Sequence, residues 1–376
     1  MSSWTPNSFV REGEARGYDS QYLSSLAAEG NRLRGLNLPV VFTLGHLAAL
    51  CGVPYDLLHE IVERKRDAYR KFKIRKRAGG YRLITAPEPA LLRVQRWIHQ
   101  NILIRQQPHP ASTAYSANCD PLTNAKKHAG SRWLVKIDIT NFFETISERQ
   151  VYYVFRRIGY RPLLAFQLTR LCTRIARHSP KYRKPRWRND STDKHKIFRS
   201  FWVGHLPQGA PTSPQLANLV CGPLDEDLQI CALKLQCNYT RYADDIVFSS
   251  HQLTRAEALQ LIRETSRIFG RYGFTRNKQK THIASPGARR IVTGLLVDGD
   301  APRLPRAFRE KLELHLFHAE TKGIREHCLR RKFRSLLGFK AHLRGLITYA
   351  EWVEAEFGEQ CRMKFEALDW GELSEF

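Results

Sequence analysis

Two adjacent carboxylates set the strongest constraint on this chain. Asp244 and Asp245 lie inside Asn238-Tyr-Thr-Arg-Tyr-Ala-Asp-Asp-Ile-Val-Phe-Ser-Ser250. The pattern is two β-rich runs, 238–242 and 246–250, separated by a short link, which predicts a hairpin with the acids at its tip. Like charges side by side repel unless something cationic sits between them and a partner. The pair is therefore costly as decoration but suited to binding a metal.

Charge balance names a partner class for that metal site. Lys and Arg number 61 against 36 acids in 376 residues, a formal net charge of +25. This exceeds what solubility requires and points to a polyanion, nucleic acid first; a merely basic protein of ribosomal or membrane-surface type is the plainer alternative. Apolar content of 42% with 26% charged residues describes a soluble globular chain, long enough for two or three subdomains. The eight cysteines show neither Cys-x-x-Cys pairs nor Cys/His ligand spacing, which indicates neither zinc nor a disulfide framework. His315-Leu-Phe-His318 lacks second partners and reads as ordinary helix surface. Without a signal pattern or a run of about 18 apolar residues, the expectation is a cytoplasmic protein with no membrane association.

Periodicity organises the rest. Residues 1 to about 42 are interrupted by Gly13, Gly17, Gly30 and Gly35. From Thr43 to Arg66, apolar residues at helical spacing around Gly52-Val-Pro54 predict two short helices, a packed pair or a DNA-reading helix-turn-helix. Phe72 to Thr85 reads as a basic hairpin about Gly79-Gly80. Leu91, Val94, Ile98 and Ile102 stripe an amphipathic helix. Trp133–Ile139 is a short apolar strand with Asp138 near its end, and Ser147 to Gln150 is a capping box. Residues 174–199 carry ten Lys/Arg against two Asp, a net of +8, with Tyr182 and Trp187 interleaved. Such a segment predicts a solvated insertion or a nucleic-acid contact that folds on binding. A Pro/Gly loop, 206–214, runs into a helix expected to reach about Leu233, and Thr254 with Glu257 caps another. Lys278 and Lys280 are expected in a loop, and residues 306–365 in basic helices.

Magnesium takes oxygen ligands and is usually held by one or two carboxylates plus substrate phosphates. Two such ions can activate a sugar hydroxyl and stabilise a leaving pyrophosphate. A strand-end Asp138 and a hairpin-tip Asp244 are the carboxylates such chemistry needs.

In this order, Asp138 with Phe143, Leu206-Pro-Gln-Gly-Ala-Pro-Thr-Ser-Pro214, Tyr242-Ala-Asp-Asp245 and Asn277-Lys-Gln-Lys-Thr281 resemble the palm motifs of reverse transcriptases. Asn124-Ala-Lys-Lys-His128 resembles the Asn-Ala-x-x-His motif of the retron enzymes, and Val292-Thr293-Gly294 their Val-Thr-Gly motif. Tyr115-Ser-Ala-Asn-Cys-Asp120 departs from the family by lacking its Gly-rich segment. The resemblance covers roughly residues 70–350. It implies an α+β, right-hand polymerase fold with a helical N-terminal extension over 1–67, fingers and palm over 68–300 and a helical basic thumb over 301–376.

Carried over, the resemblance makes Asp138 and Asp244 principal ligands of two Mg²⁺ ions and Asp245 an auxiliary carboxylate. It makes Phe143 the gate against a ribose 2′-hydroxyl, and Gln208 and Gly209 a loop against nucleotide and template. Arg75 and Arg82 are candidate triphosphate contacts, and Lys280 a pyrophosphate contact; solvated surface is the rival for each. Asn124, His128, Val292, Thr293, Gly294, Arg330 and Arg331 are the expected RNA-binding set. The implied activity is RNA-directed DNA synthesis on a cognate structured non-coding RNA, primed from a ribose 2′-hydroxyl. It consumes deoxynucleotides and leaves a branched RNA–DNA product bound. A separate effector protein and a role in antiphage defence are implied as well. Another bacterial reverse transcriptase, of group II intron-like or abortive-infection type, and a non-catalytic RNA-binding scaffold are the alternatives.

Overall fold

Of the glycines that interrupt the N-terminal pattern, Gly13, Gly30 and Gly35 turn out to sit within helices, and Gly17 lies in the turn between them. The computed structural model describes residues 5–75, 79–116, 119–176, 184–188 and 201–370. In chain order they form α1 (Pro6–Ala15), α2 (Ser20–Gly35), α3 (Leu44–Cys51), α4 (Tyr55–Val62), β1 (Tyr69–Arg75), β2 (Tyr81–Pro87) and α5 (Pro89–Asn101). Next come α6 (Pro121–Lys126), β3 (Trp133–Ile139), α7 (Phe142–Thr145), α8 (Glu148–Ile158), α9 (Pro162–Cys172), α10 (Ser213–Val220) and α11 (Gly222–Lys234). Then follow β4 (Asn238–Tyr242), β5 (Asp245–Ser250), α12 (Arg255–Tyr272), β6 (Arg276–Ala284), β7 (Ile291–Val292) and β8 (Leu295–Leu296). The chain closes with α13 (Arg306–Thr321), α14 (Ile324–Arg330), α15 (Leu336–Val353) and α16 (Ala355–Glu366).

By compactness the chain forms two units that interleave along the sequence. The first comprises Met1–Ala117, Asp138–Ile230 and Glu264–Lys278, and the second Asn118–Ile137, Cys231–Arg263 and Gln279–Phe376.

The first unit is mainly helical. Gly13 is buried because its missing Cβ makes room for Leu23 of α2; a Cβ there would lie 2.4 Å from Leu23 Cδ2. The pair α3 and α4 turns at Gly52, whose φ of 61° suits glycine, and buries Leu47 and Leu58 completely. Along α5, Leu91, Val94 and Ile98 are fully buried, as is Ile102 just after it. At about 1.5–3 kcal/mol for each such side chain, burial outweighs propensity differences of under about 1 kcal/mol and holds the helix. The capping box of α8 forms as expected, Ser147 and Gln150 each bonding the other's backbone. Glu148 is buried against Arg64, 2.6 Å away, and Arg170, 3.5 Å away. A buried carboxylate needs such partners.

The second unit is built on the sheet ordered β4-β5-β3-β6. Leu134 of β3, Val247 of β5 and Ala284 of β6 share one core with Val292, Leu295 and the helical residues Leu312, Leu316, Phe339 and Leu343. The interior strand β3 is almost wholly buried, whereas β6 lies at an edge and exposes Lys278 and Lys280.

Two sequence expectations are revised here. Lys278 and Lys280 stand on β6, not in a loop, because an edge strand tolerates charge along its free side. The helix expected to run to Leu233 breaks at Cys221, where Gly222 and Pro223 follow; proline lacks the N–H that continuation requires. Among the described residues no helix is long and apolar enough to cross a membrane.

Candidate active site

Residues 238–250 form the expected hairpin. Tyr242 pairs with Asp245, leaving Ala243 and Asp244 as the two-residue loop between β4 and β5. Ala243 has φ of 57°, a conformation that costs an L-residue roughly 1–2 kcal/mol and that two-residue hairpin turns demand. It is held by Arg241, fully buried, whose Nη1 donates to the Ala243 carbonyl at 3.2 Å. Lys136 of the neighbouring strand β3 pairs with Asp245, Nζ to Oδ2 3.1 Å. One of the two like charges therefore has its cation supplied by the protein.

The Asn124–His128 motif braces this hairpin from behind. Directly paired residues share a sheet face, so Asn238, Thr240 and Tyr242 project with Ser249, Val247 and Asp245. His128, 0% exposed, spans the two strands on that face, Nε2 to Thr240 Oγ1 and Nδ1 to Ser249 Oγ, both 2.7 Å. Burial, with the Lys127 charge second, pushes its pKa down to about 3. Asn238 adds a bond from Nδ2 to the Lys127 carbonyl at 3.1 Å.

Val292-Thr293-Gly294 closes the same core from another side. Thr293 and Gly294 are the two central residues of the β7–β8 turn, with φ of 48° and 89°, the pair of positive angles that a type I′ hairpin turn requires. The Thr293 hydroxyl donates to the Pro121 carbonyl at 2.7 Å, tying the turn to α6, which carries Asn124. Asn124, His128 and Val292 are buried, so the expectation that these side chains touch RNA is corrected: His128 bonds both strands of the Asp-Asp hairpin, and Val292 shares a core with Val247 of β5. Thr293 is half-buried, while Arg330 and Arg331 are exposed at the end of α14.

In the first unit, Asp138 is the penultimate residue of β3 and is buried. The chain then turns sharply. The Thr140 N–H donates to the Thr275 carbonyl at 2.9 Å, Asn141 takes φ of 49°, and the Thr145 hydroxyl donates to the carbonyls of Asn141 and Thr140. This turn puts Phe142 and Phe143 on α7, where Phe142 is buried against Phe274, as expected of a core aromatic. Phe143 is half-buried, its ring centroid 6.4 Å from that of Tyr115.

Gln208 and Gly209 pack on the basic hairpin. The Thr85 N–H donates to the Gln208 carbonyl at 2.7 Å. Gly209 has φ of 119°, and a Cβ there would meet Ile84 Cγ2 at 2.7 Å. The close approach that glycine permits is thus to β2 itself. In the hairpin register Arg75 faces Tyr81 while Arg82 faces Ile74; alternation puts the two arginines on opposite faces. Arg75 shares its face with Lys71, Leu83 and Thr85, which line a cleft of about 960 Å³ with Glu144, Arg174 and Trp202.

Most of the basic segment, 177–183 and 189–199, lies outside the described residues, but its middle does not behave as a solvated insertion. Trp187 is 3% exposed and packs with Val203, Ile175 and Trp202.

Farther along, His315 is buried rather than on the helix surface, its Nδ1 2.9 Å from His327 Nε2. The apolar spacing of α13 alone did not distinguish that face, because its covering helices α14 and α15 come later in the chain. Lys136, Arg241 and Tyr115 escaped the sequence reading, though a cation inside each of the runs Trp133–Ile139 and Asn238–Tyr242 was a usable signal. Tyr115 combines φ of 65° with 46% exposure. Asp138, Asp244 and Asp245 offer hard oxygen donors only, which fits magnesium better than a softer metal. Among the described residues no group of three or more His, Cys, Asp or Glu is gathered to hold a metal ion.

Comparison with known proteins gives this chemistry its context. Residues 74–332 match the reverse transcriptase (RNA-dependent DNA polymerase) family. Retron Ec86 reverse transcriptase of Escherichia coli is 29% identical, covering 87% of this chain and 94% of that protein. Retron Ec73 reverse transcriptase of the same organism is 31% identical, covering 82% and 91%. Retron Mx162 reverse transcriptase of Myxococcus xanthus is 33% identical over 68% of this chain and 53% of its own. The α+β fold is accordingly the right-hand polymerase fold, and the chain belongs to the retron reverse transcriptases, a family of RNA-directed DNA polymerases.

Proposed function

We propose that this polymerase copies its own structured non-coding RNA, starting from a ribose 2′-hydroxyl within it, and stays bound to the branched RNA–DNA product. Asp138 and Asp244 would hold two Mg²⁺ ions together with substrate phosphates, and Asp245, paired with Lys136, would tune their charge. When bound, such ions would supply activation of the attacking hydroxyl and charge stabilisation of the departing pyrophosphate. Phe143 excludes a ribose 2′-hydroxyl, Gln208 and Gly209 seat nucleotide against β2, and Lys280 meets pyrophosphate. Arg75 is the hairpin arginine assigned to nucleotide, and Arg330 and Arg331 grip the RNA stem by shape and phosphate. The fingers and palm occupy 68–300 and the thumb 301–376, after the extension 1–67. Antiphage defence with a separate effector protein, in a bacterial cytoplasm, completes the reading, supported by resemblance to the retron enzymes.

The observation that carries this reading is the hairpin itself, with Asp244 in a strained turn that Arg241 and His128 hold in place. Asp244→Asn is expected to abolish magnesium-dependent DNA synthesis while the RNA still binds, measured by primer extension and filter binding. Parallel loss of RNA binding would make the acids structural instead.

A further inference from the structure

Arg186 belongs to the basic segment but is spent on the protein's own backbone. Its Nη1 donates to the Gly273 carbonyl at 2.6 Å and its Nη2 to the Thr145 carbonyl at 3.0 Å. The fork is seated so closely that a Cβ on Gly273 would lie 2.1 Å from Nη1, and its guanidinium carbon stands 4.8 Å from the Trp187 ring centroid. Trp187, buried in turn, fixes the chain that presents the arginine. Thr145 is the last residue of α7, the single turn that carries Phe142 and Phe143, and Phe142 stacks on Phe274, next to Gly273. Four residues cannot hold a helix by their own hydrogen bonds. The guanidinium, two planar donors aimed at two carbonyls from separate segments, clamps the turn from outside.

We propose that Arg186 is a positioning residue for Phe143 and so sets discrimination between deoxyribose and ribose nucleotides, an inference that rests on Phe143 as the sugar gate. An aromatic ring rejects a 2′-hydroxyl only where its edge is fixed, and a displacement of about 1 Å can change rates by about 10²-fold. The clamp fixes the backbone from which that ring projects.

The test compares kcat/KM for dATP and for ATP in primer extension by the full-length protein and its Arg186→Ala, Arg186→Lys, Phe143→Ala and Arg186→Ala/Phe143→Ala variants. Arg186→Ala is expected to lower the dATP preference roughly tenfold or more, and the double variant to add nothing to Phe143→Ala, as coupled residues do. Arg186→Lys keeps the charge but cannot span both carbonyls, so its preference falls between those of parent and Arg186→Ala. If Phe143→Ala erodes the preference while Arg186→Ala leaves it within about twofold, the clamp has no part in selection and the inference fails, the gate standing. A parent-like Arg186→Lys overturns it as well, because charge alone then suffices. An unchanged preference in Phe143→Ala removes the gate and the inference with it.

Discussion

Three residues in this chain hold backbone angles that their neighbours impose. Ala243, Thr293 and Gly209 all have positive φ, 57°, 48° and 119°, and each stands where a tight turn or a close approach leaves no other choice. Alanine and threonine bear a steric cost there that only an over-determined surrounding sustains; for Ala243 the buried Arg241 supplies it and for Thr293 the bond to Pro121. Gly209 has the least freedom, since a Cβ would strike Ile84 at 2.7 Å and the Thr85 carbonyl oxygen at 3.2 Å. Gly209→Ala is expected to destabilise the first unit by about 1–3 kcal/mol and to raise KM for deoxynucleotides. Urea melts and steady-state primer extension check this; a parent-like melt with parent-like KM contradicts it.

At the scale of elements, the second unit depends on histidines that must stay neutral. Burial lowers the pKa of His128 to about 3 and of His315 to about 4, whereas an imidazole in the unfolded chain titrates near 6.5. Between those values the unfolded chain binds more protons than the folded one. The stabilising contribution is thus complete above about pH 6.5 and is lost as pH falls toward 4 and then 3. The urea midpoint of the protein is expected to drop between about pH 7 and pH 5, with a shallower drop in His128→Gln; equal slopes in both proteins would remove His128 as the cause. The elements themselves were legible because their signals are local: the alternation of 238–250, the stripe of α5 and the capping boxes at Ser147 and Thr254. The buried face of α13 and the edge position of β6 were not, since each depends on a partner far away in sequence. The burial of Trp187 was hidden for the same reason, a run of cations masking one aromatic whose partners Val203 and Trp202 follow later.

For the whole molecule, the motifs that mark the retron family and those that mark a polymerase prove to be physically joined. Asn124–His128 and Val292–Gly294 share the core of the second unit with Val247 of the Asp-Asp hairpin. In the sequence they were legible as motifs but not as supports, because a short motif states which residues recur and not which way they point. With Asn124, His128 and Val292 buried, the cations left for the proposed RNA contact are exposed ones such as Arg330 and Arg331, part of the surplus behind the net charge of +25. Such a surface holds phosphates more readily than base edges, which suits a structured RNA recognised by shape. The central claim is that the active site extends DNA from a 2′-hydroxyl inside that RNA. It is tested most directly by purifying the protein from its native host and probing the bound nucleic acid for DNA joined covalently to RNA through a 2′,5′ linkage. DNA that stays attached to a short RNA after denaturation, and is released by a 2′,5′-debranching enzyme, is the predicted result. DNA that separates from RNA on denaturation alone would contradict it.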